Sequence, residues 1–149
     1  MLFRSGENRR NYMESEGLAL ALTIPQGRFP VQLDPTEFGR VLENLLQNSV
    51  KYKKPEGGQV ALALTEVGDT VRLTFADTGK GIPPGEAEHI FEGFYRLDQT
   101  RGAQKGSGLG LAIAREIIRG HGGAITAEGA PNAGLTVTIT LPRDKGERL

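Results

Sequence analysis

The sequence predicts an α/β (α+β) two-layer sandwich, in which a mixed five-stranded sheet is covered on one face by about three helices. Five segments alternate apolar residues with polar or small ones, as half-buried strands do. Three other segments carry apolar residues at helical spacing. The predicted order is β-α-β-β-α-α-β-β, and because the helices do not alternate strictly with the strands, the sheet should be mixed. The length of 149 residues suits one domain with a single core.

The first half of the chain contains one predicted strand and the longest predicted helix. A strand ending at Pro25 is predicted by four alternating residues, Leu18, Leu20, Leu22 and Ile24. The helix should have Asp34 as N-cap, Pro35 in its first position and Glu37 in the capping-box position, and it should end before Pro55. Its apolar face has six residues at helical spacing: Phe38, Val41, Leu42, Leu45, Leu46 and Ser49.

The second half of the chain should add four strands and two helices. Two strands, joined by a hairpin loop at 67–70, are predicted by alternation at Val60, Leu62, Leu64, Val71, Leu73 and Phe75. A short helix is expected around Glu86 to Phe91, and a longer one from Leu109 to Arg119 with Gly120 as its C-cap. The spacing of the longer helix is set by Leu109, Ala112, Ile113, Glu116 and Ile117. The last two strands are predicted at 124–128 and 135–141.

Composition excludes several classes of function. Lys and Arg number 18, as do Asp and Glu, so no net charge argues for nucleic acid or for an acidic membrane surface as a partner. The absence of cysteine excludes disulfides, zinc–thiolate sites and thiol catalysis, and it is compatible with a reducing cytosol. No apolar run approaches the roughly 20 residues of a membrane-spanning helix, and no signal peptide is visible. We expect a cytoplasmic domain without membrane contact, and tethering of the full-length protein stays open.

Three segments divide the chain by composition. Residues 1–16 are polar and are expected to be an N-terminal linker or the end of an upstream helix. Residues 17–143 are expected to form the folded domain, and residues 144–149 a polar tail. Glycine is in excess, with 21 residues, and most of them lie between Gly79 and Gly134, where the backbone must turn sharply or approach something closely. Within that region, residues 93–108 have little apolar periodicity and are predicted to be a long mobile loop.

A polar stripe marks the predicted helix 34–52. Asn44, Asn48 and Lys51 are spaced i, i+4, i+7 and therefore lie on one side of the helix. One interpretation is an ordinary solvated face. The other is a cation and phosphate site, since an amide oxygen can complete a Mg²⁺ octahedron and a lysine supplies a point charge toward phosphate.

Two glycine-rich segments carry further candidates. Asp77 shares its strand face with Phe75, and an acidic residue on an apolar face needs a partner. It would either cap a turn through the N–H of Gly79 or accept the exocyclic amine of adenine. The segment from Gly106 to Leu111 leads straight into a helix, and it is either a flexible loop or a phosphate-binding helix start. It matches neither a Walker A motif nor a dinucleotide fingerprint.

Taken together and in this order, the candidate segments resemble the four sequence boxes of histidine kinases. The N, G1, F and G2 boxes correspond to Asn44-Leu-Leu-Gln-Asn48-Ser-Val-Lys51-Tyr52, Asp77-Thr-Gly79-Lys-Gly81-Ile82, Phe91-Glu-Gly-Phe94-Tyr-Arg96 and Gly106-Ser-Gly108-Leu-Gly110-Leu111. The resemblance extends roughly from Leu18 to Pro142. It implies the Bergerat fold, which gyrase B, Hsp90 and MutL share. It further implies the ATP-binding catalytic domain of a two-component sensor histidine kinase, which transfers the ATP γ-phosphate to a histidine on a separate domain.

The resemblance also implies a role for each matching residue. Asn48 would ligate Mg²⁺, Lys51 and Tyr52 would contact phosphate or ribose, and Asp77 would read the adenine amine. The adenine pocket would be shaped by Gly79 and Gly81. Lid residues near the terminal phosphates would be Arg96, Arg101 and Gln104. The lid hinge and its backbone amides would be supplied by Gly106, Gly108 and Gly110. The nucleotide-binding set would also include Ile82, Lys105, Leu109 and Leu111. The catalytic set would be Asn44, Asn48, Lys51 and Arg96.

The implied partners are ATP with Mg²⁺, the phosphoacceptor dimerisation domain of the same kinase and, indirectly, a response regulator. Neither His89 nor His121 is followed by an acidic residue and a helical-hairpin pattern, so both are expected to be structural, and the acceptor histidine is expected to lie on another domain. Three rival functions differ in their sequence requirements. A gyrase- or MutL-like ATPase would carry a glutamate base in place of Asn44, and an anti-sigma-type serine kinase would lack the F box. A nucleotide-gated interaction module would retain binding without chemistry.

Overall fold

A computed structural model describes residues 11–23, 31, 33–83, 85–87, 89–92 and 110–143. It contains five strands, β1 to β5, and two long helices, α1 and α2. The strands are Leu18–Thr23, Gly58–Val67, Thr70–Asp77, Ala124–Gly129 and Leu135–Pro142, and the helices are Pro35–Lys51 and Gly110–Gly120. A short helical stretch at residues 11–15 precedes β1. The two-layer fold class predicted from the sequence is confirmed.

The sheet is mixed, as predicted. Its spatial order is β1-β2-β3-β5-β4, in which β1 pairs with β2 in parallel and all other neighbours are antiparallel. Strands β2 and β3 form a hairpin whose two-residue loop is Gly68-Asp69. Gly68 has a φ of +60°, which suits the first central position of a type II′ turn. The loop predicted at 67–70 is therefore confirmed.

One face of the sheet and the two helices enclose a single core. Along β5 the burial alternates residue by residue, with Leu135, Val137, Ile139 and Leu141 buried. Helix α1 contributes Phe38, Val41, Leu45, Leu46 and Ser49, so its predicted apolar face is confirmed apart from Leu42, which is half-buried. From the helical stretch at 11–15, Met13 is fully buried and packs into the same core. None of the helices in the described ranges is long and apolar enough to cross a membrane.

The amino end of α1 is capped by Asp34 as predicted, but the backbone N–H of Asp34 has a different partner from the predicted one. The Oδ1 of Asp34 accepts hydrogen bonds from the backbone N–H groups of Thr36 (2.9 Å) and Glu37 (3.2 Å). The predicted capping box through the Glu37 side chain is wrong, because the N–H of Asp34 donates instead to Nε2 of His121 (2.9 Å). A residue 87 positions away therefore completes the cap.

His121 also ends α2, so it joins the two helices. Since its Nε2 accepts a hydrogen bond, the ring proton lies on Nδ1, which donates to the carbonyl of Ile117 (2.8 Å). The predicted structural role of this histidine agrees with both contacts. One neutral imidazole thus ties the amino end of α1 to the carboxyl end of α2.

The C-cap of α2 differs from the predicted one. The N–H of Gly123 donates to the carbonyl of Ile118 and the N–H of Gly122 to that of Arg119, both at 3.0 Å, which is the Schellman pattern. The left-handed residue of that motif is Gly122, with a φ of +79°, whereas Gly120 is the last helical residue. The prediction of Gly120 as C-cap is wrong because the chain reverses only after His121.

Two further local predictions are wrong. The described residues between 85 and 92 form hydrogen-bonded turns rather than a helix, since the N–H groups of Glu86, His89 and Glu92 each bond to the carbonyl three residues earlier. On α2, the buried side is formed by Ala114, Ile117 and Ile118, and Ile113 is 38% exposed. The apolar face is thus rotated from the one predicted.

Replacing His121 with alanine should lower the free energy of unfolding by about 1–2 kcal/mol, because two helix ends lose their hydrogen-bond partner. Urea denaturation of the wild type and the variant would measure this. His89→Ala is the control: the His89 side chain is about half exposed and pairs with Glu92 three residues on, so its loss should change stability by less than about 0.5 kcal/mol. Equal effects of the two substitutions would contradict the bridging role of His121.

Candidate functional site

The carboxylate of Asp77, at the end of β3, lies where the strand, α1 and the glycine loop 79–81 meet. Its Oδ1 accepts the backbone N–H of Gly79 (2.8 Å), and its Oδ2 accepts the hydroxyl of Ser49 on α1 (3.1 Å). The turn-capping contact considered for Asp77 is therefore present. Ser49 is 2% exposed, and among the described residues it is the one buried polar residue.

The surroundings of Asp77 act on the pKa of its carboxyl in opposing directions. Burial raises the pKa of this carboxyl above its ordinary value, and hydrogen bonds from Gly79, Ser49 and the backbone of Leu135 offset part of that rise. A carboxylate has about four acceptor positions, so three protein donors leave room for one more. Asp77 can therefore accept a further N–H donor from a ligand, and such a donor would stabilise its charged form.

The glycine loop is clamped between two other turns. The N–H of Lys80 donates to the carbonyl of Tyr52, which caps α1 (2.9 Å), and the carbonyl of Lys80 accepts the N–H of Asn132 in the β4–β5 turn (2.7 Å). A Cβ on Gly79 would lie 2.7 Å from the Tyr52 carbonyl oxygen. Side chains larger than hydrogen are excluded here by backbone packing, so the loop has a fixed shape.

Gly81 needs glycine for two separate reasons. Its φ is +76°, and a Cβ would collide with the carbonyl oxygen of Ala130. Gly134 completes the arrangement from the other side, because a Cβ there would collide with the carbonyl oxygen of Asp77. The β4–β5 turn, residues 130–134, is therefore built directly against the end of β3.

Helix α1 carries the predicted polar stripe toward this region. The Nδ2 of Asn44 donates to the carbonyl of Gly110, the first residue of α2 (3.0 Å). Asn48 follows one turn later and is half-buried, and within the described ranges no hydrogen bond to its carboxamide is found. At the helix end, the Nζ of Lys51 lies 5.4 Å from the ring centroid of Tyr52, a cation–π distance. Lys54, just beyond, donates to the carbonyl of Asn132 (3.0 Å).

The structure brings part of the predicted site together. Helix α1 and its C-cap carry four of the predicted residues, Asn44, Asn48, Lys51 and Tyr52. The helix is joined to Asp77 by the hydrogen bond of Ser49, and to the glycine loop by the hydrogen bond that the Tyr52 carbonyl accepts. Ile82 is 1% exposed and belongs to the core, and Leu111 is partly buried and packs against the same core. Outside the described residues lie Arg96, Arg101, Gln104, Lys105, Gly106, Gly108 and Leu109, together with the predicted mobile loop.

Two contributors were missed by the sequence analysis. Ser49 was assigned only to the apolar face, although a hydroxyl buried among apolar residues requires a partner and so signals a nearby acceptor. Asn132 has a φ of +61°, and its contacts with Lys80 and Lys54 shape the rim of the site. No local pattern indicates these contacts, because the residues lie far apart in the chain.

The side chains of this region suit a metal ion that is coordinated mainly by a bound small molecule and by water. Among the described residues, no three His, Cys, Asp or Glu side chains are grouped so that they would hold a metal ion. Mg²⁺ commonly takes one or two protein oxygens and completes its shell with waters and phosphate oxygens. An amide oxygen on α1, such as that of Asn48, fits this pattern, and a metal site made of protein side chains alone does not.

The two reasons for glycine at position 81 can be measured separately. Gly85 has nearly the same φ, +79°, but no atom of the described residues lies within 4 Å of the position that a Cβ would take there. Gly85→Ala should therefore cost about 1 kcal/mol of unfolding free energy from backbone strain alone. Gly81→Ala should cost a further 1–3 kcal/mol or so from overpacking. Denaturant midpoints of both variants test this, and equal midpoints would show that the contact with Ala130 is unimportant.

Known proteins are similar to this chain in sequence and in fold. A family model described as histidine kinase-, DNA gyrase B- and HSP90-like ATPase matches residues 33–145. The sensor histidine kinase WalK of Bacillus subtilis is 38% identical over 122 residues, which cover 80% of this chain and 20% of that protein. The chain spans 20% to 35% of the length of such curated relatives.

Solved structures agree with these relatives. The mycobacterial sensor histidine kinase MprB superimposes with a TM-score of 0.79 at 31% identity, covering 94% of this chain and 92% of that one. Full-length ShkA, solved in complex with AMPPNP, gives a TM-score of 0.80 at 29% identity and covers 95% of this chain and 29% of that one. The chain therefore belongs to the histidine kinase-, DNA gyrase B- and HSP90-like ATPase family, and within it to the ATP-binding catalytic domains of sensor histidine kinases.

Proposed function

We propose that this domain binds Mg-ATP with the adenine at Asp77 and the phosphates near Asn48 and the start of α2, and that it transfers the γ-phosphoryl group to a histidine on a separate phosphoacceptor domain. The observation that carries the proposal is the partly buried carboxylate of Asp77, which accepts hydrogen bonds from Ser49 and Gly79 and has an acceptor position left. The AMPPNP complex of the similar ShkA supports the choice of nucleotide.

Adenine fits the chemistry of the Asp77 pocket. The exocyclic amine of adenine is a hydrogen-bond donor, and it would meet the remaining acceptor position of the carboxylate. Guanine presents a carbonyl oxygen in the equivalent place, which the carboxylate repels. Because Gly79 and Gly81 carry no side chain, a flat ring can approach the backbone of the loop closely. The pocket should thus select ATP over GTP.

The phosphate groups of ATP would be held by residues of α1 and α2. The first backbone N–H groups of α2 have no partner within the helix and favour phosphate oxygens. Lys51 lies at the end of α1 and supplies a positive charge near the site. Asn48 would hold Mg²⁺ through its amide oxygen, and a bound Mg²⁺ neutralises negative charge on the phosphates. The predicted contacts of Arg96, Arg101 and Gln104 with the terminal phosphates, and of Lys105 with the nucleotide, remain part of this proposal.

The transfer needs little acid–base help from the domain. A neutral imidazole attacks the γ-phosphorus with its unprotonated nitrogen, the bond from the phosphorus to the ADP oxygen breaks, and ADP leaves with that electron pair. The proton on the other ring nitrogen is then released. Positioning and charge neutralisation are therefore the main requirements. Hydrolysis is different, because water needs a base, and Asn44 cannot take a proton. Its nitrogen is also engaged with Gly110.

Incubation with γ-labelled ATP, Mg²⁺ and a histidine phosphoacceptor domain tests the proposal. Label should appear on the acceptor domain, disappear when its histidine is replaced by alanine, and be weak with labelled GTP. Asp77→Ala should lower labelling at subsaturating ATP about tenfold or more, since a charged hydrogen bond to the base is lost. Without acceptor the domain should neither label itself nor release phosphate quickly. Fast phosphate release by the domain alone would favour a gyrase-like ATPase instead.

A further inference from the structure

Asn44 makes a hydrogen bond within the protein that it would not need if its role were to bind a metal ion or a phosphate group directly. Its Nδ2 donates to the carbonyl of Gly110 at 3.0 Å, in a partly buried position, across 66 residues of sequence. The orientation of the carboxamide is determined, because a carbonyl oxygen can only accept and the atom facing it must be the nitrogen. The Asn44 side chain also lies against the Cα of Gly110, since a Cβ there would be 3.7 Å from its Cγ.

Gly110 is the first residue of α2, so its carbonyl belongs to the first turn of the helix. In an α-helix its carbonyl accepts the N–H of Ala114, so the bond from Asn44 adds a second donor to the same oxygen. The neighbouring amides of Gly110, Leu111 and Ala112 have no partner within the helix and point out of its amino end. Whatever holds the Gly110 carbonyl therefore also fixes where those amides point.

Helix α1 connects this point to the adenine end of the site. Ser49, which holds the Asp77 carboxylate, lies five residues after Asn44 on the same helix. At a rise of 1.5 Å per residue the two contacts are separated by about 7.5 Å along the helix axis. A single rigid helix thus sets the distance between the carboxylate at one end and the start of α2 at the other.

We infer that Asn44 is a positioning residue for the phosphate groups of the nucleotide, which aligns the amides at the start of α2 through its hydrogen bond to Gly110. The inference rests on the proposed function, because it assumes that those amides face phosphate. It separates the two asparagines of the polar stripe, with Asn48 contacting the metal and Asn44 acting through α2. A carboxylate at position 44 could not make this bond, since it has no N–H to donate.

Two measurements on Asn44→Ala and Asn48→Ala test the inference. The first is hydrogen exchange of the Ala114 amide in the nucleotide-free protein, which should be about tenfold faster in Asn44→Ala and unchanged in Asn48→Ala. The second is calorimetric affinity for ATP with Mg²⁺ and with EDTA. Asn44→Ala should lose about tenfold under both conditions, and Asn48→Ala should lose affinity only with Mg²⁺. Asn44→Asp keeps the side-chain volume but removes the donor, so it should reproduce the faster exchange.

The possible outcomes are distinct. Unchanged exchange at Ala114, with an affinity loss confined to Mg²⁺, would make Asn44 a second metal ligand and overturn the inference. Adenosine, which lacks phosphates, should bind all variants like the wild type, and a loss of adenosine binding by Asn44→Ala would also contradict it. If the wild type bound no ATP at all, the proposed function would fail, and the exchange rates of Asn44→Ala and Asn44→Asp would still show whether Asn44 holds α2.

Discussion

The partly buried carboxylate of Asp77 makes the hydrogen bonds on which the rest of the site depends. It ends β3, accepts the hydroxyl of Ser49 from α1 and accepts the N–H of Gly79 from the glycine loop. Sheet, helix and loop are therefore joined by one side chain. Since burial raises the pKa of this group, the nucleotide-free domain holds the charge at a cost in stability, and a ligand that donates a hydrogen bond recovers part of that cost.

Helix α1 links the Asp77 site to the remainder of the domain. Its amino end is capped by Asp34 and tied to α2 by His121, and its middle is tied to the other end of α2 through Asn44. Both ends of α2 thus depend on α1. The family relatives and the Bergerat fold are consistent with such a scaffold, but the particular contacts follow from this chain's own residues.

Features set by neighbours in sequence were predictable. The cap at Asp34, the apolar face of α1 and the tight turn after β2 all follow from patterns within about ten residues, and all are found. Contacts between distant residues were not predictable. The His121 bond replaced the expected capping box, Ser49 proved to serve Asp77, and Met13 entered the core from a segment without apolar periodicity. Gly122, and not Gly120, takes the left-handed conformation after α2. Which glycine does so depends on where the chain turns from α2 toward β4, and residue spacing alone does not specify that point.

The most direct test of the central claim is an NMR titration of the Asp77 side-chain carboxyl with and without saturating Mg-ATP. In the nucleotide-free protein, burial should hold its pKa above the ordinary aspartate value. With ATP bound, the adenine amine donates to the carboxylate and stabilises the charged form, so the pKa should fall. By linkage, ATP affinity should also decline as the pH drops through the interval between the two values. An identical titration curve in both states would show that Asp77 does not contact the adenine and would contradict the account.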